Sequence, residues 1–136
     1  MFEDLFPSRP PAPYQDDASA AGFRLVAGDA AQDPDAKGLV SVHGEIRNCM
    51  IGEYEGRRVA LFENIFGGGS HRARWMTLAF DIGDHDFRET NSLASSWNIR
   101  RDDHWVYFEA TVEFQRWPNL SEFLRDANAI LELYLL

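Results

Sequence analysis

Two stretches of the chain decide the predicted fold. Residues 72–82 read RARWMTLAFDI, and residues 104–112 read HWVYFEATV. Because successive side chains of a strand point to opposite faces, each stretch divides into two sets. One face receives the apolar side chains of Met76, Leu78, Phe80, Val106, Phe108 and Ala110. The other face receives the large aromatic side chains of Trp75, Trp105 and Tyr107, so both faces of these strands need cover.

Further strands are predicted on either side of this pair, between turn-forming residues. The predicted strands are Leu39–His43, Ile46–Tyr54, Arg58–Phe66, Arg72–Ile82, Ser96–Arg100 and His104–Phe114, and Phe23–Val26 is a further candidate. The short connections between them, among them Glu55-Gly56-Arg57, favour hairpins. We therefore predict an antiparallel meander of about five to six strands.

One helix is predicted after these strands. Asn119 is a favourable N-cap, Glu122 stands three residues later as in a capping box, and Pro118 stops the preceding strand. Apolar residues then recur at helical spacing at Leu120, Phe123, Leu124, Ala127, Ile130, Leu131 and Tyr134. The predicted fold is α+β, with this helix packed on the Met76 face and no obvious element to cover the Trp75 face.

The N-terminal residues 1–22 contain four of the six prolines and are predicted to be a disordered or extended tail. Residues 23–136 then form a single α+β domain, which is an ordinary length for one domain. The tail opens with Phe2, Leu5 and Phe6, which are more apolar than a solvated tail requires. These three side chains either dock on another surface or belong to a frayed terminus.

The composition restricts the classes of function. A net charge of -9 and a sequence pI near 4.8 argue against direct binding to nucleic acid or to an anionic membrane. Cys49 is the only cysteine, which excludes a disulfide framework, and no cofactor motif is present. We predict a cytoplasmic protein without a cofactor, because the chain shows neither a signal peptide pattern nor an apolar stretch of membrane-spanning length.

A meander would place the loop at 67–70 beside the loop at 101–103, because alternate hairpin loops lie at the same end of a sheet. That end would gather a cationic group made of His71, Arg72, Arg74, Arg100, Arg101 and His104. Such a group could bind a carboxylate or a phosphate. The ordinary interpretation is that these side chains are solvated at strand ends and pair with nearby carboxylates.

Asp81 to Asp86, at the predicted opposite end, is the one stretch that clusters carboxylates with an imidazole. An Asp- and Gly-rich surface turn explains it, so no metal site is predicted. His43 and Cys49 could form a base and a nucleophile, but a buried structural thiol is the simpler interpretation. No catalytic residue is assigned.

The sequence therefore predicts a non-enzymatic protein-binding module of the inhibitor, immunity or adaptor type. Its partner-binding residues would be Trp75, Trp105 and Tyr107, with Phe2, Leu5 and Phe6, and its partner would be another protein or a second copy of the chain. One alternative is a small anionic-ligand-binding protein or hydrolase-like enzyme that uses the cationic group. Another is an acidic nucleic-acid mimic that inhibits a nucleic-acid-binding protein.

Overall fold

The computed structural model describes residues 13–41, 45–66, 73–88, 97–102, 104–112 and 117–135. Helix α1 spans Gln15–Ala20 and helix α2 spans Leu120–Tyr134. The strands are β1 (Arg24–Leu25), β2 (Ile46–Tyr54), β3 (Arg57–Phe66), β4 (Ala73–Asp81), β5 (Asn98–Arg101) and β6 (Trp105–Thr111). Short 3-10 turns lie between β1 and β2 at Ala30–Gln32 and Pro34–Ala36. The predicted strand at Leu39–His43 is wrong for residues 39–41, and its remainder lies outside the described residues.

The strands form one antiparallel sheet in the order β1-β2-β3-β4-β6-β5. The α+β class and the antiparallel sheet with its C-terminal helix are confirmed. The hairpin of β2 and β3 has a two-residue turn at Glu55 and Gly56, both with positive φ (51° and 79°). That combination is a type I′ turn, which suits the twist of paired strands and favours glycine.

The order of the last two strands departs from a meander. Strand β6 pairs with β4, and β5 lies outside β6, so β4 and β5 run parallel. The connection at 82–97 therefore leads from the end of β4 back to the start of β5, and we call it the crossing. The hydrophobic core on the Met76 face of the sheet, which we call the first core, includes Ile82 and Phe87 of this connection. At the other end of the connection, Trp97 packs against Phe108 and Phe123 of the same core.

We name the two ends of the sheet after landmark residues. The Trp75 end is where β4 and β5 begin and β6 finishes, and the Gly56 end is where β4 and β5 finish. Because of the crossing, the β5–β6 turn lies at the Gly56 end, opposite the end where β3 meets β4. Loops at the same end of the sheet can contact one ligand together, whereas loops at opposite ends cannot.

Helix α2 covers the Met76 face of the sheet, which we call the first face, as its sequence pattern predicts. The side chain of Asn119 accepts a hydrogen bond from the backbone N–H of Glu122 (3.1 Å), which caps the helix. The buried side chains of helix α2 pack against Met76, Leu78, Phe80, Val106 and Phe108 of the sheet. These helix residues are Leu120, Phe123, Leu124, Ala127 and Leu131.

Residues 13–22 belong to the folded unit, so the predicted tail boundary at residue 22 needs correction. Tyr14 and Ala18 of this segment are buried in the first core (3% and 0% exposed). The hydroxyl of Tyr14 donates to the backbone oxygen of Asn48 (2.9 Å). Phe23 follows α1 and packs so closely over Gly52 that any side chain at Gly52 would collide with its ring. Phe2, Leu5 and Phe6 lie outside the described residues.

We expect Leu131→Ala to lower the free energy of unfolding by about 2 to 5 kcal/mol, because Leu131 is fully buried and its truncation leaves a cavity. Leu133→Ala is the matched control, since Leu133 lies on the same helix but is 76% exposed. Its effect should stay within about 0.5 kcal/mol. Urea denaturation followed by circular dichroism measures both values. Equal values for the two variants would contradict the assigned helix face.

Candidate functional site

The opposite face of the sheet, to which Trp75, Trp105 and Tyr107 belong, is called the second face. It has its own hydrophobic core at the Gly56 end. Trp105 and Tyr107 are buried there, at 1% and 0% exposed. They are covered by residues 26–41, which we call the covering segment. The side chains that this segment places against them are Val26, Ala30, Ala36 and Leu39. The sheet contributes Ile51, Ala60, Phe62 and Ala79 to the same core.

Hydrogen bonds to the two aromatic side chains fix the covering segment. The indole Nε1 of Trp105 donates to the backbone oxygen of Lys37 (2.9 Å). The hydroxyl of Tyr107 accepts from the backbone N–H of Val40 (2.9 Å) and donates to Asp102 (2.5 Å). Burial, together with the hydrogen bond to Asp102, raises the pKa of Tyr107. The phenol therefore stays protonated near neutral pH and keeps both bonds.

Arg24 of β1 holds the middle of this segment. Its guanidinium donates to both carboxylate oxygens of Asp33 (3.0 and 2.8 Å) and to Asp35 (2.8 Å). The same hydrogen bonds hold the pKa of Asp33 below its ordinary value. Asp33 also accepts from the N–H of Asp35 and so caps the second 3-10 turn. These pairs are exposed, so we assign them a positioning role rather than much stability.

Trp105 and Tyr107, two of the three aromatic residues predicted to contact a partner, are therefore covered within the chain. The chain itself supplies the cover that the strand pattern demands, and a partner could reach these two side chains only by displacing the covering segment. Trp75 differs, because it lies at the other end of the same face and is partly exposed. Of the three predicted aromatic contacts, Trp75 is thus the one at the surface.

Beyond the covering segment, the second face becomes polar. Asn64 of β3 pairs with Trp75 of β4, and Thr77 of β4 pairs with Glu109 of β6. Asn64, Thr77 and Glu109 are nonetheless buried, at 1%, 0% and 4% exposed. We call Asn64, Trp75, Thr77 and Glu109 the polar end of the second face. Thr111, which pairs with Trp75, is exposed, so this end meets solvent at its border.

Asn64 has one side-chain atom that is not hydrogen-bonded. Its Nδ2 donates to the hydroxyl of Ser41 (2.7 Å) and to the backbone oxygen of Glu45 (3.0 Å). The backbone oxygen can only accept, so this contact fixes the orientation of the carboxamide. Its buried Oδ1 has no hydrogen-bond partner, and the same is true of the Thr77 hydroxyl. Buried polar atoms usually have partners, which marks this region as unusual.

A depression of about 520 Å³ lies at the start of β2. Its described lining consists of Gly28, Asp29, Glu45 and Ile46. Ile46 is the cross-strand partner of Asn64, so the two lie side by side on the second face. Asn64 itself is not among the described lining residues.

The predicted cationic group is not assembled in the described residues. Arg74 lies at the Trp75 end, with its guanidinium 5.6 Å from the ring centre of Trp117. Arg101 and His104 lie at the Gly56 end, because the crossing of residues 82–97 moves the β5–β6 turn there. Arg100 lies over the ring of Tyr107, 3.6 Å from its centre. His71 and Arg72 lie outside the described residues.

Carboxylates and backbone oxygens already contact these cations. Arg101 pairs with Asp86, so the Asp81–Asp86 stretch lies at the same end as Arg101 and not opposite it. Arg100 donates to the backbone oxygen of Val40 (2.6 Å), and its Nε lies 3.4 Å from Glu109 Oε2. Nδ1 of His104 lies 3.3 Å from the backbone oxygen of Gly83. The arginines thus act mainly as structural partners.

A second depression, of about 400 Å³, lies at the Gly56 end beside His104 and Trp105. Lys37 and Arg58 face Asp35, Asp81 and Asp84 in its lining, which gives it no dominant charge. Arg58 lies 3.4 Å from Asp35 and 3.7 Å from Asp81. Within the described ranges, no group of three or more His, Cys, Asp or Glu side chains is placed to hold a metal ion.

Cys49 is a buried member of the second core, 4% exposed, and burial raises the pKa of its thiol to about 12. A thiol that stays protonated at neutral pH is a poor nucleophile, which agrees with the structural interpretation. His43 lies outside the described residues, so the pairing of these two side chains stays untested.

Sequence reasoning missed Asn64, Thr77 and Glu109. A signal for the last two was available, because alternation puts Thr77 beside Trp75 and Glu109 beside Tyr107 on one face. A polar residue two positions from a large aromatic residue lies on the same face of the strand and indicates that this face is not apolar along its whole length. The covering segment was harder to foresee, since its buried residues follow no strand or helix period.

Comparisons with known protein families, curated proteins and solved structures gave no match. In the part of the chain that the structure describes, neither helix is long and apolar enough to cross a membrane.

We expect Tyr107→Phe to lower the free energy of unfolding by about 1 to 3 kcal/mol, since it leaves the Val40 N–H and Asp102 without their shared hydroxyl partner. Tyr54→Phe is the matched control, because the Tyr54 side chain is partly exposed and its hydroxyl makes no hydrogen bond to a described residue. Urea unfolding of both variants measures the difference. If the two variants are equally stable, the Tyr107 hydroxyl does not hold the covering segment.

Proposed function

We propose that the protein is a non-enzymatic binding module whose partner, another protein, contacts the polar end of the second face around Trp75. One observation carries the proposal: strands β3, β4 and β6 bury Asn64, Thr77 and Glu109 on the face that holds the partly exposed Trp75, and neither Asn64 Oδ1 nor the Thr77 hydroxyl has a hydrogen-bond partner. Burying polar side chains without full hydrogen bonding costs stability, and such a cost is most often retained at functional sites.

The shape of the second face supports this location. The covering segment occupies the Gly56 end, whereas at the Trp75 end Trp75 is partly exposed and Thr111 is exposed. A partly exposed tryptophan is a favourable anchor for a protein interface, because it supplies a large apolar area. Phe2, Leu5 and Phe6 remain proposed contributors outside the described residues.

Charge favours a different protein over a second copy. The chain carries a net charge of -9, and two copies would repel each other wherever their acidic surfaces meet. A partner with a basic surface would instead be attracted, and its association would weaken as salt screens the charges. We propose an inhibitor, immunity or adaptor role in the cytoplasm, as predicted from the sequence.

The anionic-ligand and enzyme alternatives receive less support. The described arginines are divided between the two ends of the sheet and contact carboxylates, aromatic rings or backbone oxygens. Mimicry of nucleic acid by the acidic surface stays an open alternative, and it predicts a basic partner of the nucleic-acid-binding class.

Affinity capture from the native cell tests the proposal, with wild type, Trp75→Ala and Leu133→Ala as parallel baits. Leu133→Ala is the control, because it removes an exposed apolar side chain from the opposite face. We expect wild type and control to retain the same protein in stoichiometric amount, and Trp75→Ala to weaken its binding by about 2 kcal/mol, roughly 30-fold.

Circular dichroism must show that Trp75→Ala is folded, and ultracentrifugation of wild type separates partner binding from self-association. A partner that Trp75→Ala retains undiminished would contradict the proposed surface. Retention of no stoichiometric protein by wild type would contradict the proposed function.

A further inference from the structure

Strand β5 is an edge of the sheet: β6 lies on one side of it, and in the described part of the chain no strand lies on the other. The backbone N–H of Asp102 donates to the backbone oxygen of Trp105 (3.0 Å), which makes these two residues a hydrogen-bonded pair. In an antiparallel ladder such pairs alternate with pairs whose N–H and C=O groups point away from each other. The backbone groups of β5 therefore point toward β6 and away from it in turn.

Ile99 and Arg101 are the β5 residues whose backbone groups point away from β6. Arg100 is two residues before Asp102, so it is again in a hydrogen-bonded pair, and Ile99 and Arg101 lie on either side of it. Within the described ranges, the outward N–H and C=O groups of these two residues make no hydrogen bond. Both residues are partly exposed, so β5 presents four backbone groups at the edge of the sheet.

The hydrogen bonds between β6 and β4 support this assignment. The N–H of Ile82 donates to the backbone oxygen of His104 (2.8 Å). Two residues further along the ladder, Phe80 and Val106 are therefore also a hydrogen-bonded pair. Val106 thus directs its backbone groups toward β4 and away from Arg101, its neighbour on β5.

We infer that the outer edge of β5 accepts an extended segment of the protein partner as an additional strand. The inference rests on the proposed function, and it adds the way in which the partner is held. Hydrogen bonds to the outward groups of Ile99 and Arg101 hold the backbone of the segment, and the side chains on its two faces set the specificity.

The two faces of β5 define the side chains that the added strand carries. On the first face, Ile99 packs against the first core, so the neighbouring side chain of the partner is apolar. On the second face, Asn98 is exposed and continues the row of Thr77 and Glu109 to the edge, so the neighbouring side chain there is polar. The partner segment therefore alternates apolar and polar side chains.

The edge is continuous with the surface around Trp75. Strand β5 begins at the Trp75 end, and two strand spacings, about 10 Å, separate it from β4. A protein interface of ordinary size covers about 800 Å² on each partner, which is wide enough to include both features. One partner can thus contact Trp75 and pair with β5.

The charge of β5 disfavours a second copy of the chain as the added strand. The register that uses both outward residues of each strand brings the Arg100 side chains of the two copies opposite each other. Like charges in directly opposite positions are destabilising. A short, charged edge strand is also a common protection against pairing between copies. A different protein is therefore the favoured occupant.

Amide hydrogen exchange of the full chain tests whether the edge is open. We expect fast exchange at Ile99 and Arg101, whose N–H groups face outward, and slow exchange at Arg100, whose N–H faces β6. Measurement at two protein concentrations detects pairing between copies. Slow exchange at all three amides, or protection of Ile99 and Arg101 that rises with concentration, would overturn the inference, since the edge would then be occupied by the chain itself or by a second copy.

Arg101→Pro and Arg101→Ala serve as parallel baits in the affinity capture. Both variants lose the side chain that pairs with Asp86, but only proline removes the outward N–H. An edge strand tolerates proline at such a position, because this N–H does not serve the sheet. We expect Arg101→Pro to bind the captured partner at least about tenfold more weakly than Arg101→Ala. In the wild-type complex, the amides of Ile99 and Arg101 should become protected from exchange.

Circular dichroism shows whether Arg101→Pro is folded; if it is not, the amide protection in the wild-type complex decides. Equal binding by the two folded variants, or a bound partner that leaves both amides in fast exchange, would overturn the inference and leave the proposed function standing. A partner that needs the outward N–H but is retained undiminished by Trp75→Ala would support the inference and contradict the proposed surface. Capture of no stoichiometric protein by wild type would contradict both.

Discussion

The indole of Trp105, buried under the covering segment and hydrogen-bonded to the backbone of Lys37, is the contact on which the second half of the structure depends. The six-stranded sheet has two apolar faces, and both described helices pack on the same one. The chain covers the other face with an irregular segment. Backbone hydrogen bonds within the segment form its two 3-10 turns, and side chains of the sheet bind the backbone groups of Lys37 and Val40 that follow them.

The extent of the covering segment coincides with the point at which the second face changes from aromatic to polar. The covering segment buries the Gly56 end, and the face turns from aromatic to polar between Tyr107 and Glu109. Asn64 lies at the junction, because its amide holds both Ser41 of the segment and the start of β2 at Glu45. The same residue therefore fixes the segment and borders the proposed site, so changes at the site and changes in the segment's position are physically connected.

The sequence predicts much of the fold and less of the site. Local patterns place β2 and the capped helix α2 correctly, because strand alternation and helix capping depend on neighbouring residues. The position of β5 outside β6 depends on a crossing of sixteen residues, 82–97, whose path no local pattern encodes. That single difference places Arg74 and Arg101 at opposite ends of the sheet, so the described members of the predicted cationic group do not lie together. The covering segment escaped prediction because its small buried residues, Ala30 and Ala36, lack a period.

The central claim is that the chain covers Trp105 with its own residues 26–41. Nuclear magnetic resonance of the Trp105 indole N–H tests this claim most directly, by its exchange with solvent and its cross-relaxation with Gly38, which lies beside the indole. The account predicts an N–H protected from exchange, with a strong cross-peak to the α-protons of Gly38. Rapid exchange and no such cross-peak would contradict it, since Trp105 would then be open to solvent or to a partner.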